Sequence, residues 1–258
     1  MKDTVLLEEL SWPEVEQALG AGVRTVVIVT ASVEQHGPHL PMVTDAAIGH
    51  AVGERVARRL GRALLAPVIR PGCSDHHLAF PGSLSVPQEV FIQTVMAYVR
   101  SLVPHGFDTF VLLSSHGGNF DALEIAARRL REEFGQRGIR IVEFAGRRDL
   151  MAMSRLMVET AAGLGALQDV EVIHADATET SIMMRLHPHL VDAGRLERGL
   201  VGPIDPDDLF RRGLRAVTPN GIIGDATLAR PELGEVVLDR LADYIAAAVR
   251  ERMAPEQT

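Results

Sequence analysis

The 258-residue sequence contains one cysteine, one tryptophan and two tyrosines, and aromatic residues make up only 4% of it. A single cysteine, Cys73, excludes an intrachain disulfide and agrees with a reducing, cytoplasmic setting. A lone cysteine is more often inert than nucleophilic. Basic charge is also scarce: 26 Lys and Arg against 34 Asp and Glu leave a formal net charge of −8, which argues against nucleic acid as a partner. No apolar run approaches the roughly 20 residues that a membrane span needs. The first ten residues carry acids inside their apolar run, which is not the pattern of a secretory signal. Linkers, low-complexity runs and internal repeats are missing too. With 47% hydrophobic residues, a single α/β domain over 1–258 is the expected organisation.

What the sequence does have is a regular alternation of strand and helix patterns. Val26-Val27-Ile28-Val29 and Phe110-Val111-Leu112-Leu113 read as buried strands over 25–30 and 108–115. Ile139-Arg140-Ile141-Val142 reads as another, and 63–66 as a short one. Helices are expected over 46–60, with the stripe Ile48, Val52, Val56 and Leu60, from a Ser85-Val86-Pro87-Gln88 cap to about 103, and over 120–134. Further helices are expected over a Met-rich 150–167, from 182, and over 231–252, while Ser11-Trp12-Pro13-Glu14 opens a short one. The three Met residues of 150–167 read as core filler. His187-Pro188-His189 reads as a helix end, and 192–230 as loop-rich. The alternation predicts an α/β fold with a mainly parallel sheet and helices on both faces.

Polar clusters fall at the ends of these elements. The loop Glu34-Gln35-His36-Gly37-Pro38-His39-Leu40-Pro41, with Thr44-Asp45, follows the first strand. Glu34 and His36 alternate by two, so an extended segment aims both to one side. His116-Gly117-Gly118-Asn119 follows the second strong strand, and His174 lies five residues before Glu179. Strand ends of a parallel sheet share one rim, where ligands bind. His, Asp and Glu converging from separate segments are what a divalent transition metal takes. Read singly, the residues have plainer roles: Asp45 is well placed to cap the next helix, and His39, His50, His76, His105, His187 and His189 need none.

In these residues the chain resembles the creatininase family of metal-dependent amidohydrolases. The matching text is Glu34 to Pro41 with Thr44-Asp45, Phe80-Pro81-Gly82-Ser83, His116-Gly117-Gly118-Asn119, Glu179-Thr180-Ser181, and Pro219-Asn220-Gly221 with Gly224-Asp225. The resemblance implies an α/β/α fold, a centre of two divalent ions per subunit (zinc, manganese or iron) and a homo-oligomer, usually a hexamer. It implies Glu34, His36, Asp45 and His116 as metal ligands, with Asp45 as the bridge, and His174 as the histidine that handles protons. Two departures stand out. Creatininase has a metal-binding glutamate two residues past the position of His116; here that residue is Gly118, and Glu179 is the natural replacement. Creatininase also closes its site with tryptophans near the third cluster, whereas the only tryptophan here is Trp12, so creatinine is a poor candidate substrate. Relatives cleave a formamide in a flavin-type pathway or a terminal peptide bond in mycofactocin maturation.

The expected reaction is metal-assisted hydrolysis of a small amide or lactam, with His174 and Glu179 as the catalytic residues. Gly117, Gly118 and Asn119 are expected to hold substrate or oxyanion, with His77 and Ser83 as further contacts. A structural turn is the expected role of Phe80-Pro81-Gly82. A binding protein that keeps the metal but has lost turnover is a different reading, and the retained His174 speaks against it. A phosphoesterase would also use two metals, but the polar loops hold few Lys or Arg for phosphate. Arg211, Arg212 and Arg215 could in principle serve a phosphate, although a solvated basic face is the simpler reading.

Overall fold

A computed structural model describes residues 2–254. In chain order the elements are α1 (Trp12–Gly20), β1 (Thr25–Thr30), α2 (Thr44–Leu60), β2 (Ala63–Leu65), α3 (Gln88–Leu102), β3 (Thr109–Ser114) and α4 (Phe120–Phe134). They continue with β4 (Arg140–Glu143), α5 (Gly146–Gly163), α6 (Ala177–Leu186), α7 (Pro206–Arg212), α8 (Leu214–Val217) and α9 (Pro231–Met253). The four strands form one sheet in the order β2-β1-β3-β4, and every pairing is parallel.

The alternation of side chains along each strand sorts the core into two layers. Val27, Val29, Val111, Leu113 and Val142 face α2, α6 and α9. Val26, Ile28, Phe110, Leu112 and Ile141 face α3 and α4. Both faces are buried, which is why these strands read as unbroken apolar runs.

The chain leaves β1 to one side to make β2, then crosses to β1's other flank to make β3. The strand order therefore reverses between β1 and β3, and the loops after them open a crevice there. Thr30 pairs with Ser114 at the carboxyl ends, so the Glu34 and His116 loops emerge side by side.

Several boundaries differ from the sequence reading. The helix expected from 46 starts at Thr44, which puts Asp45 inside its first turn. No side chain caps that helix, because the Asp45 carboxylate is engaged elsewhere. Ser85 does not cap α3 either. It accepts from the Ser74 backbone N–H at 2.9 Å and donates to Asp75 at 2.5 Å, tying the second polar loop to itself. The helix expected over 150–167 runs four residues earlier, at Gly146–Gly163.

The loop-rich section 192–230 has its own small core. Leu209, Leu214 and Ile223 pack with Val170, and Phe80 and Val172 lean on them. Arg215 lies over the Phe80 ring at 5.3 Å and donates to the Ala79 carbonyl, while Arg211 and Arg212 pair with Asp208.

The α6–α9 contact is tight. A Cβ built on Gly234 of α9 would lie 2.2 Å from the Ser181 carbonyl oxygen, and Ser181 Oγ accepts from the Arg230 backbone N–H at 2.9 Å. Gly234→Ala gains helix propensity of about 1 kcal/mol but must push two backbones apart, and overpacking of this kind costs about 1–3 kcal/mol. A lower urea midpoint at unchanged slope is the expected result; a midpoint at or above that of the parent protein would refute the close packing.

Candidate metal centre

Five side chains from four segments meet at the crevice. Glu34 and His36 come from the loop after β1, Asp45 from the first turn of α2, His116 from the loop after β3, and Glu179 from the first turn of α6. Glu34, His36, Asp45 and His116 are each no more than 3% exposed. Asp45 stands between the two histidines: Oδ1 is 3.1 Å from His36 Nε2 and Oδ2 is 3.3 Å from His116 Nδ1. His116 Nδ1 is also 3.2 Å from Glu34 Oε1, and His36 Nε2 is 3.8 Å from Glu179 Oε2. Ligand atoms of Glu34, Asp45 and His116 all lie within 4.8 Å of one another, as do those of His36, Asp45 and Glu179. Glu34, His36 and His174 form a third such group.

The donor set fits divalent cations. Carboxylate oxygens and imidazole nitrogens suit zinc and manganese, and each triad mixes the two. One buried atom, Glu34 Oε2, has no hydrogen-bond partner in the protein. Buried carboxylate oxygens are normally satisfied, so an unpaired one inside such a cluster is free to take a ligand.

Without an ion, protons balance the charge. Burial alone would push the His36 imidazole down, but Asp45, with Glu179 and Glu34 behind it, holds it up at about 10. Burial opposes His116 too, and Glu34 and Asp45 raise it above the ordinary histidine range. Asp45 is held well below the usual carboxylate range against its burial, by His36 and His116. Burial lifts Glu179 to about 8, His36 opposes this, and Asp45 and Asp176 add to it.

His174 sits beside the cluster, its ring centroid 4.4 Å from that of His36. Burial and the neighbouring His36 keep it neutral. It is held by an exchange of backbone bonds with Ile223: His174 N donates to Ile223 O at 3.1 Å and Ile223 N returns to His174 O at 2.8 Å. The Pro219–Asp225 stretch therefore works as a clamp. Next along, Ala175 takes φ +52°, and its N–H donates to Glu179 Oε2 at 2.6 Å. Asp176 caps α6 through the N–H groups of Thr178 and Glu179. The other two residues of Glu179-Thr180-Ser181 brace the surroundings, Thr180 on His39 at 2.8 Å and Ser181 on α9.

The expected substrate contacts divide. His77, Gly117 and Gly118 line a cavity of about 300 Å³ that opens onto the cluster. Asn119 and Ser83 do not. Asn119 is fully buried, accepts from the Cys73 N–H at 2.9 Å and donates to the Ala31 carbonyl at 3.1 Å. Ser83 Oγ accepts from the Gln35 N–H at 3.2 Å. In this structure both brace one loop against another and neither lines the cavity. At position 118 a Cβ would come within 2.2 Å of the Cys73 carbonyl oxygen and 2.6 Å of His116 Nε2, so this backbone has no room for a side chain there.

The structure adds residues that the sequence reading passed over. Gln35 Nε2 lies 2.9 Å from His174 Nε2, 3.3 Å from His77 Nδ1 and 3.3 Å from the Gly221 carbonyl, while its Oε1 accepts from Gly37 N. Its place between Glu34 and His36 was the available signal; strict alternation would have turned it away. His76, given no role, stacks on His116 at 5.7 Å and lines the cavity. Met151 and Met153, read as core filler, line it as well. Arg211, Arg212 and Arg215 do not, which removes the phosphate-binding argument they could have made.

Comparison with known proteins shows what the chain as a whole is similar to. A family model described as "Creatininase: Creatinine amidohydrolase" matches residues 8–249. The chain is 34% identical over 229 residues to a mycofactocin precursor peptide peptidase of Mycobacterium ulcerans, covering 85% of this chain and 82% of that one. It is 30% identical to the creatinine amidohydrolase of Pseudomonas putida, covering 99% and 100%. A solved structure described as "Creatininase Mn" superposes with a TM-score of 0.82 at 28% identity, covering 98% of this chain and 100% of that one.

Protons on His36, His116 and Glu179 must leave when a metal enters. In chelator-treated protein, zinc affinity should rise as pH goes from about 6 to about 8, with net proton release recorded by calorimetry in buffers of different ionisation enthalpy. Affinity that is flat with pH would contradict the charge balance described here. The sign for stability is opposite: the raised His36 pKa favours the folded chelated protein fully below its ordinary 6.5, and this is lost as pH rises through about 10.

Proposed function

The chain belongs to the creatininase family, and from that membership and the geometry of the cluster we propose a metal-dependent amidohydrolase that cleaves the C–N bond of a small amide with an activated water. The observation that carries the reading is the convergence of Glu34, His36, Asp45, His116 and Glu179 around a buried, unpaired carboxylate oxygen, with neutral His174 alongside.

Two divalent ions per subunit, zinc, manganese or iron, are proposed, one held by Glu34, Asp45 and His116 and the other by His36, Asp45 and Glu179. Asp45 would serve both ions, since its two oxygens face different histidines. When bound, such ions would supply a water whose pKa falls from about 15.7 towards about 7 and would polarise the amide carbonyl. Ser32 Oγ donates to Asp45 Oδ2 at 2.7 Å and fixes that carboxylate. The second ring nitrogen of His116 meets Ser74 Oγ at 3.1 Å and the Cys73 carbonyl at 3.0 Å, which fixes its tautomer and leaves Nδ1 for a ligand bond.

His174 is the proposed proton carrier. Its Nε2 touches a donor and an acceptor of the same residue, Gln35 Nε2 and Gln35 O, both at 2.9 Å. The imidazole can hold a proton there or release it without losing a partner. A positioned acid–base group is typically worth about 10²–10⁴-fold in rate. The N–H groups of Gly117 and Gly118 are offered to the substrate oxygen, at the start of the turn that leads into α4. A homo-oligomer, a hexamer by family resemblance, is proposed, as is a cytoplasmic location; among the described residues no helix is long and apolar enough to cross a membrane. Creatinine is proposed to be a poor substrate, because no tryptophan lines the cavity.

Two substitutions test the assignment. Glu179→Gln keeps an oxygen for the Ala175 N–H and should lower metal content by about one ion per subunit, with activity falling alongside. His174→Ala should retain full metal content and lose mainly kcat, by about 10²-fold or more. Elemental analysis of both purified proteins, with amide hydrolysis measured before and after chelation, decides the matter. Full metal content in Glu179→Gln rejects it as a ligand, and metal loss in His174→Ala makes that histidine one.

A further inference from the structure

The wall of the cavity has two chemistries. The cluster supplies the polar part. Most of the remainder is apolar, with Leu150, Met151 and Met153 from α5 and Leu209, Phe210 and Leu214 from α7 and α8. Phe210 is 53% exposed, an unusual state for so large an apolar side chain, and its ring lies 4.7 Å from that of His76, which in turn stacks on His116. An apolar surface thus begins one ring away from the candidate ligands. Met151 and Met153 are half-buried, and methionine adapts to irregular apolar shapes.

The charge on this wall does not favour an anionic ligand. Arg147 and Asp207 line the mouth but pair with each other at 3.4 Å, and both are largely exposed. Asp121, also on the wall, would repel an anion. A volume of about 300 Å³ lies at the lower end of ligand pockets, which are mostly apolar with a few polar groups that fix orientation.

We propose that the cavity selects an uncharged amide bearing a bulky apolar substituent, aromatic or branched aliphatic, seated between α5 and Phe210 while the amide faces the cluster. The inference rests on the hydrolytic reading for the amide, but the apolar seat can be tested apart from turnover. The probes are N-acetylglycinamide, N-acetylvalinamide and N-acetylphenylalaninamide, added to the zinc-loaded full chain.

Two readouts are taken. One is kcat/KM for each probe. The other is the ¹³C-methyl methionine spectrum, with Met151 and Met153 assigned by Met151→Leu and Met153→Leu. The expected result is a rise in kcat/KM of about 10-fold or more from the glycine to the phenylalanine compound, and movement of the Met151 and Met153 methyls with the valine and phenylalanine compounds but not with the glycine compound. Phe210→Ala, which removes an exposed ring, should collapse that preference through KM. If the two methyls stay still, or move equally for the glycine compound, the proposal is overturned whether or not any amide is cleaved. If they move selectively and no probe is cleaved, the apolar seat stands and the hydrolytic reading fails.

Discussion

Three carboxyl groups, those of Glu34, Asp45 and Glu179, share one buried space, and an ionised carboxylate taken out of water without compensation is costly. The surroundings are arranged to meet that cost. His36 and His116 bracket Asp45, the Ser32 hydroxyl and the Ala175 N–H each donate to a carboxylate, and what remains unmet is Glu34 Oε2. Such compensation works only while distances hold, so the loops must be stiff. Asn119 and Ser83 supply the stiffness by joining the loops after β1 and β3 to the 71–83 loop. A close approach of Gly72 to Asn119 and the Ala31 carbonyl completes the joint, since a Cβ there would fall within 2.6 Å of both.

The apolar runs of β1 and β3 made the sheet readable, because strands buried on both faces carry no alternation to misinterpret. Glu34, His36 and His116 were readable for a related reason: each follows a strand end by a few residues, and strand ends of a parallel sheet share a rim, while Asp45 was readable at the start of the helix that this loop leads into. The braces were not. Asn119 and Ser83 carry the same donors and acceptors as substrate contacts, and only the position of their partners distinguishes the two roles. The wall formed by Met151, Met153 and Phe210 was hidden because apolar residues on a helix look alike whether they face a core or a cavity. The turn into α5 was also misplaced, as Gly146 takes φ +74° at a position that reads as loop.

His174 and Glu179 are held by other means. They follow no strand. Gln168 orders their segment by donating to Asp176 and accepting from the Asp225 N–H at 2.8 Å, and Gly224 approaches Asp176 where a Cβ would clash at 2.6 Å. Residues almost fifty positions apart are thereby locked together without a sheet. No local pattern announces such a lock, although Gly221 and Gly224, at φ +74° and +117°, mark where the backbone must take conformations that side chains disfavour.

The candidate ligands and the apolar wall come from different parts of the chain. α5, α7 and α8 contribute no ligand to either triad, and α7 is a short helix in an irregular stretch. Inheritance can therefore act on the two separately. Exchanges at Leu150, Met151, Met153 or Phe210 would reshape the apolar wall while leaving the charge balance of the centre alone, so the fit to a substrate and the bond-breaking chemistry are separable by mutation.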